Sequence, residues 1–160
     1  MDTIRELHDA VDRETGRLHV LHAERLACRR GCSSCCVDDL TVFEVEAEPI
    51  RRVYAELLAT GVPHPEGACA FLDDEGACRI YEERPYVCRT QGLPLRWLDE
   101  DDGQVVELRD ICPLNEAGEP IEELAAEDCW TLGPVEERLA AAQLSSPSPS
   151  APGSAPRTSL

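Results

Sequence analysis

Four cysteines fall within nine consecutive residues, the run CRRGCSSCC over positions 28–36, and four more follow at wider spacing as Cys69, Cys78, Cys88 and Cys112. No other feature restricts the fold so strongly. A thiolate is a soft, anionic ligand, and tetrahedral sulfur sites suit Zn²⁺ or iron–sulfur clusters. The short spacings Cys28-x3-Cys32-x2-Cys35-Cys36 let one loop offer several sulfurs to one centre. The distant cysteines then tie remote segments to it, which is how a metal staples a small core. Gly31 and the Ser33–Ser34 pair favour a tight, irregular loop around the dense cluster.

Three other uses of cysteine compete with this one. Disulfides need an oxidising compartment, and nine cysteines leave one thiol over. Buried packing cysteines are common singly, but four on a Gly/Ser loop are not explained by packing. A redox pair at Cys32-x2-Cys35 lacks the βαβ context of a thioredoxin-like site. Cys28-x3-Cys32-x2-Cys35 is also the spacing with which radical S-adenosylmethionine enzymes hold a [4Fe–4S] cluster. Here it follows a helix, with too little chain behind it for their barrel, so that reading is rejected.

Charge and composition narrow the partners. A net charge of −17 excludes nucleic acid as the default partner, because phosphate binding needs clustered cations. It equally disfavours docking on anionic lipid. All 15 basic residues are Arg, which removes a Schiff-base lysine and the lysine of a phosphate-binding loop. Residues 1–27 lack the apolar stretch of an export signal, and no apolar run has the length of a membrane span. A cytoplasmic chain is expected, where thiols stay reduced and serve metals.

Hydrophobic spacing predicts an amphipathic helix over 2–26, with Ile4, Leu7, Val11, Leu18 and Leu21 on its buried face. A second helix is expected over about 45–59, since Pro49 is harmless only in a first turn. Thr41-x-x-Glu44 resembles a capping box and argues for an earlier start with a kink at Pro49. Residues 67–90 read as loop, with a turn at Asp73–Gly76 and a short helix begun by Pro85 and carrying Cys88. A hairpin is expected over 93–110, its acidic turn at Asp99–Gly103 and its first strand placed at an edge by Pro94. Short helical stretches follow near 119–128 and 134–144. From Ser145 the chain is Ser, Pro, Ala and Gly, too poor in apolar surface to offset its ordering entropy. The expected architecture is an α-rich α+β fold, a small irregular metal-stapled domain with helices and one β-hairpin. Its domain spans 1–144, with the core motif at 28–115 and a disordered tail at 145–160.

The ordered set CRRGCSSCC, CAFLDDEGACRIYEERPYVCR and CPLN resembles the YkgJ-type cysteine-cluster family of zinc- or iron-chelating proteins. Its most specific piece is Gly76-Ala-Cys78-Arg-Ile-Tyr81-x-x-Arg84-Pro85-x-x-Cys88-Arg89. The resemblance implies eight metal-ligating thiolates: Cys28, Cys32, Cys35, Cys36, Cys69, Cys78, Cys88 and Cys112. Flagellin lysine-N-methylases look related through a similar cluster but are much longer. Four thiolates around Zn²⁺ leave about two negative charges, so Arg84 and Arg89, inside the motif, are expected to offset charge and donate to sulfur. Cys129, outside the pattern, is expected to pack beside Trp130. His8, His19, His22 and His64 read as surface or packing residues, and Asp99–Asp102 as a solvated hairpin tip. The implied function is metal binding, with zinc or an iron–sulfur cluster as cofactor and a metal ion as partner. An iron–sulfur redox or electron-transfer protein, or a component of a cluster-dependent modification enzyme, is the alternative. No catalytic constellation is recognisable, and no protein partner is indicated.

Overall fold

The computed structural model describes residues 2–145 and 157–159. Helix α1 spans Asp2–Leu21 and buries Ile4, Leu7, Val11 and Leu18. It stops short of the expected residue 26, because residues 22–25 turn the chain toward Cys28. Leu21 is left half exposed and His22 is buried in its stead, its Nε2–H donating to the Asp128 carbonyl at 2.6 Å. Among the described residues no helix is long and apolar enough to cross a membrane.

Strand β1 (Thr41–Phe43) leads straight into α2 (Glu44–Val53), which is followed by α3 (Ala55–Thr60). The single helix expected over 45–59 is therefore two. The break falls at Tyr54 (φ −108°, ψ 29°) rather than at Pro49, which sits inside α2. Nor is the capping box used: Thr41 is in β1, and Val45 N–H donates to Oε1 of buried Gln143 at 3.0 Å. An orphan amide at a helix start needs an acceptor, and here a distant helix supplies it.

Helix α4 (Tyr86–Arg89) carries Cys88 and starts one residue after Pro85. Strands β2 (Leu95–Asp101) and β3 (Gln104–Asp110) form the hairpin, paired Trp97 to Leu108 and Asp101 to Gln104. Its turn is tighter than expected. Asp102 (φ 49°) and Gly103 (φ 77°) alone form it, both in the left-handed region that two-residue hairpin turns require. The expected edge position of the first strand is overturned: β2 lies between β3 and β4 (Trp130–Thr131), which joins it in parallel. Pro94 precedes β2 and contributes only a carbonyl, to Trp130 N–H at 2.8 Å, so its missing donor costs the ladder nothing. Between β3 and β4 the expected helical stretch is two 3-10 turns, Ile121–Glu123 and Ala126–Asp128.

Helix α5 (Pro134–Ser145) closes the main core, where Leu18, Phe43, Tyr86, Leu93, Trp130 and Leu139 meet. Trp130 Nε1–H donates to the Tyr86 hydroxyl at 2.8 Å, satisfying both buried polar tips. The expected disorder of 145–160 falls mainly on residues outside the described ones. Ser145 ends α5, and β5 (Arg157–Ser159) pairs antiparallel with β1, whose open edge offers it ladder partners.

One buried carboxylate joins the layers. Glu46, 3% exposed, accepts from His8 Nε2 at 2.8 Å and from Tyr86 N–H at 2.7 Å. It thus links α1, α2 and the start of α4. Glu46→Ala orphans a buried amide and a buried imidazole, at about 1–3 kcal/mol for each group left unpaired. Urea denaturation of the variant should show a loss of about 2–6 kcal/mol for the two groups together, and an unchanged midpoint would contradict this account.

Candidate metal centre

The cysteine loop is built from two consecutive turns. Cys32 N–H donates to Arg29 O, and Cys36 N–H to Ser33 O, both at 2.9 Å. The first turn therefore runs from beside Cys28 to Cys32, and the second delivers Cys35 and Cys36. Two contacts anchor the loop to the second cluster. Cys69 N–H donates to Cys36 O at 2.9 Å, and Gly67 N–H donates to the Asp38 carboxylate at 2.6 Å. The backbones also meet at Gly31 and Gly76: a Cβ at either would stand 3.2 Å from a carbonyl oxygen, of Glu75 and Gly31 respectively.

Cys69 and Cys78 sit on the arms of a small turn. Asp73 Oδ1 accepts from Glu75 N–H (2.9 Å) and Ala77 N–H (2.8 Å), an Asx turn that folds the acidic segment back, and Leu72 bridges Cys78. Beneath them Ile50, Phe71 and Ile80 form a satellite core, against which Cys69, Cys78, Tyr54 and Leu57 pack. Cys88 reaches the same region from α4.

The electrostatics record which sulfurs are neighbours. A hydrogen bond from Cys36 holds the Cys35 thiol down at about 6. The same bond, then burial and the charges of Cys35, Cys69 and Cys88, push Cys36 strongly up. Burial drives Cys88 up to about 12, helped by Cys69 and Cys78 and opposed by Arg84. Cys78 is raised by burial and by Cys69, with Arg84 and Arg79 opposing. Cys35, Cys36, Cys69, Cys78 and Cys88 thus lie within electrostatic reach of one another. A crowd of half-buried thiols resists ionising as a group, and a bound cation inverts that logic.

Cys28, through its sulfur, and Cys112, through its backbone carbonyl, are both tied to Asn115. Its Nδ2 donates to Cys28 Sγ at 3.4 Å and to Gly92 O at 2.7 Å, while its backbone N–H donates to Cys112 O at 2.7 Å. Cys32 has Ser34 Oγ 4.0 Å from its sulfur. All nine cysteines are free thiols. Among the described residues no group of three or more Cys, His, Asp or Glu side chains stands where it could hold a metal ion. Cys129 is buried, 3.8 Å from Arg109 Nη1.

The two motif arginines differ. Arg84 stacks its guanidinium 4.0 Å from the Tyr81 ring centroid, and its Nε is buried without a partner. Its charge acts on Cys78 and Cys88. Arg89 places its guanidinium on Asp12 (2.5 Å), Arg84 O (2.8 Å) and Glu82 O (3.0 Å), joining α1 to the helix that bears Cys88. Asn115 is the site residue that residue patterns did not single out. The available signal was its place in Cys112-Pro-Leu-Asn115, where a 3-10 turn begun by Pro113 folds the fourth residue back on the first.

Residues 27–113 match the family CxxCxxCC, described as "Putative zinc- or iron-chelating domain". The chain belongs to the CxxCxxCC family. The match begins one residue before Cys28 and ends one after Cys112, so it encloses all eight clustered cysteines and omits Cys129. No curated protein and no solved structure matches the chain. The donor set of this CxxCxxCC domain fits the metals in the family's description. Its thiols are soft, they come from four separated segments, and two of them, Cys78 and Cys88, feel the charge of Arg84, whose Nε has no partner.

The ionisation pattern is directly measurable. In metal-free protein at pH 7, the Cys35–Cys36 pair should alkylate with iodoacetamide well before Cys88, since their shared hydrogen bond lowers one thiol of the pair while burial raises Cys88. Peptide mapping after brief labelling reads the order, and Cys88 reacting first would refute it.

Proposed function

We propose that the chain holds zinc or an iron–sulfur cluster through Cys28, Cys32, Cys35, Cys36, Cys69, Cys78, Cys88 and Cys112, in the cytoplasm, and that the bound metal is at least structural. The observation that carries this reading is the backbone bond from Cys69 N–H to Cys36 O. It draws the dense cysteine loop against the second cluster while leaving every thiol free. When bound, the metal supplies a cross-link between segments that the fold otherwise joins by few contacts.

The protein's own residues do the rest. The two turns of 28–36 present sulfurs in pairs, and the Asp73 turn fixes the separation of Cys69 and Cys78. Arg84 offsets the negative charge that clustered thiolates accumulate, aided by its stacking on Tyr81. Elemental analysis of anaerobically purified protein tests the reading: it should contain stoichiometric zinc or iron. A brown preparation whose visible absorption bleaches with dithionite identifies an iron–sulfur centre and favours a redox role or a part in a modification enzyme. Colourless protein with zinc identifies the structural or delivery form. Protein that is folded, retains none of these metals and takes up neither would defeat the proposal.

A further inference from the structure

Resting on that reading, we infer that Asn115 is the positioning residue that aims the Cys28 sulfur at the metal. Asn115 is fully buried, 0% exposed, and every polar group on its side chain is engaged. Oδ1 accepts from Ala27 N–H at 2.8 Å, and Nδ2 donates to Gly92 O at 2.7 Å and to Cys28 Sγ at 3.4 Å. The orientation of the amide is fixed by chemistry. An N–H must meet the oxygen and a C=O must meet the nitrogen, so an amide hydrogen is left facing the sulfur.

The neighbouring backbone is shaped for this contact. Gly92 has φ +89°, and a Cβ there would lie 2.5 Å from Cys28 Sγ and 3.2 Å from Asn115 Nδ2. Only glycine lets the chain pass so close to the sulfur. Meanwhile Asn115 N–H donates to Cys112 O, so one residue spans two cysteine segments remote in sequence. Cys28 is the one clustered cysteine whose residue as a whole is exposed, so its sulfur is oriented by these few contacts. An N–H donor to a metal thiolate fixes its direction and lowers its reactivity, and loss of such partners typically costs about 10–100-fold in metal affinity.

The test uses the full-length, metal-loaded protein, with alkylation by iodoacetamide mapped cysteine by cysteine. In Asn115→Asp the Ala27 contact survives, but a carboxylate oxygen faces Gly92 O and the Cys28 sulfur. Cys28 should then alkylate about tenfold faster or more than in the wild type, while Cys69, Cys78 and Cys88 stay protected. A merely structural role would expose them all together. Cys28 remaining as protected as in the wild type overturns the inference. If every cysteine becomes reactive, cadmium-113-substituted wild-type protein decides. A through-bond coupling from the Asn115 side-chain amide proton to cadmium supports the assignment, and its absence beside cysteine–cadmium couplings defeats it. The metal reading fails separately, if metal-loaded and metal-free wild type alkylate alike at all eight positions.

Discussion

Removing the metal with a strong chelator should melt the cysteine-bearing half of the protein, lowering the thermal midpoint by tens of degrees. The segment between α3 and α4 contains only short turns, and its satellite core is three buried residues, Ile50, Phe71 and Ile80. Structural zinc contributes about 10–16 kcal/mol in small zinc-bound peptides, comparable with the whole stability of a typical domain, about 5–15 kcal/mol. For a chain of this size each kcal/mol shifts the midpoint by about 2–4 °C, so even a partial loss is large. Calorimetry before and after chelation measures it, and hydrogen exchange should locate the new opening between Cys28 and Cys112. A midpoint that stays put once the metal is gone would mean that the thiols are ornamental to the fold.

Acid should release the metal steeply. Cys36, Cys78 and Cys88 are all raised above the ordinary thiol value of 9.0, so each carries a proton at neutral pH that binding must displace. Each displaced proton makes affinity fall about tenfold per pH unit of acidification. These three protons alone give at least about a thousandfold between pH 8 and pH 7. Cys35, held at about 6, adds to the slope only below that pH. In metal-free protein the sign reverses. A raised thiol stabilises the fold while protonated, so the contribution of Cys88 is complete below its unfolded value of 9.0 and disappears as pH climbs through about 12. Alkali should therefore weaken the metal-free chain over a range in which it tightens metal binding. Competitive titration with a chromophoric chelator at several pH values reads the first effect, and urea midpoints of metal-free protein read the second. A flat affinity between pH 6 and 8 would refute the coupling.

The elements most legible in the sequence were those set by repetition or by special residues. The apolar spacing of Ile4, Leu7, Val11 and Leu18 specified α1, and Pro85 marked the start of the turn that carries Cys88. The family match likewise follows the cysteine spacing. What escaped depended on partners far along the chain. Pro49 is tolerated inside α2, whose first free amide finds its acceptor in Gln143. Leu21 fits the apolar stripe of α1 but loses its place to His22, which has a carbonyl waiting at Asp128. Pro94 pointed to an edge strand, yet β2 is central because the proline stops one residue short of it. Asn115 escaped for the same reason: its meaning lies in Ala27, Gly92 and Cys28, which no local window contains.

The Glu46 carboxylate, held at once by His8 and by the first amide of α4, makes the amino-terminal helix a mechanical partner of Cys88. A shift of that sulfur cannot stay local, since the amide two residues upstream is tethered to an acid that a second helix also grips. A probe on that amino-terminal helix should therefore report any displacement of Cys88 without touching a thiol.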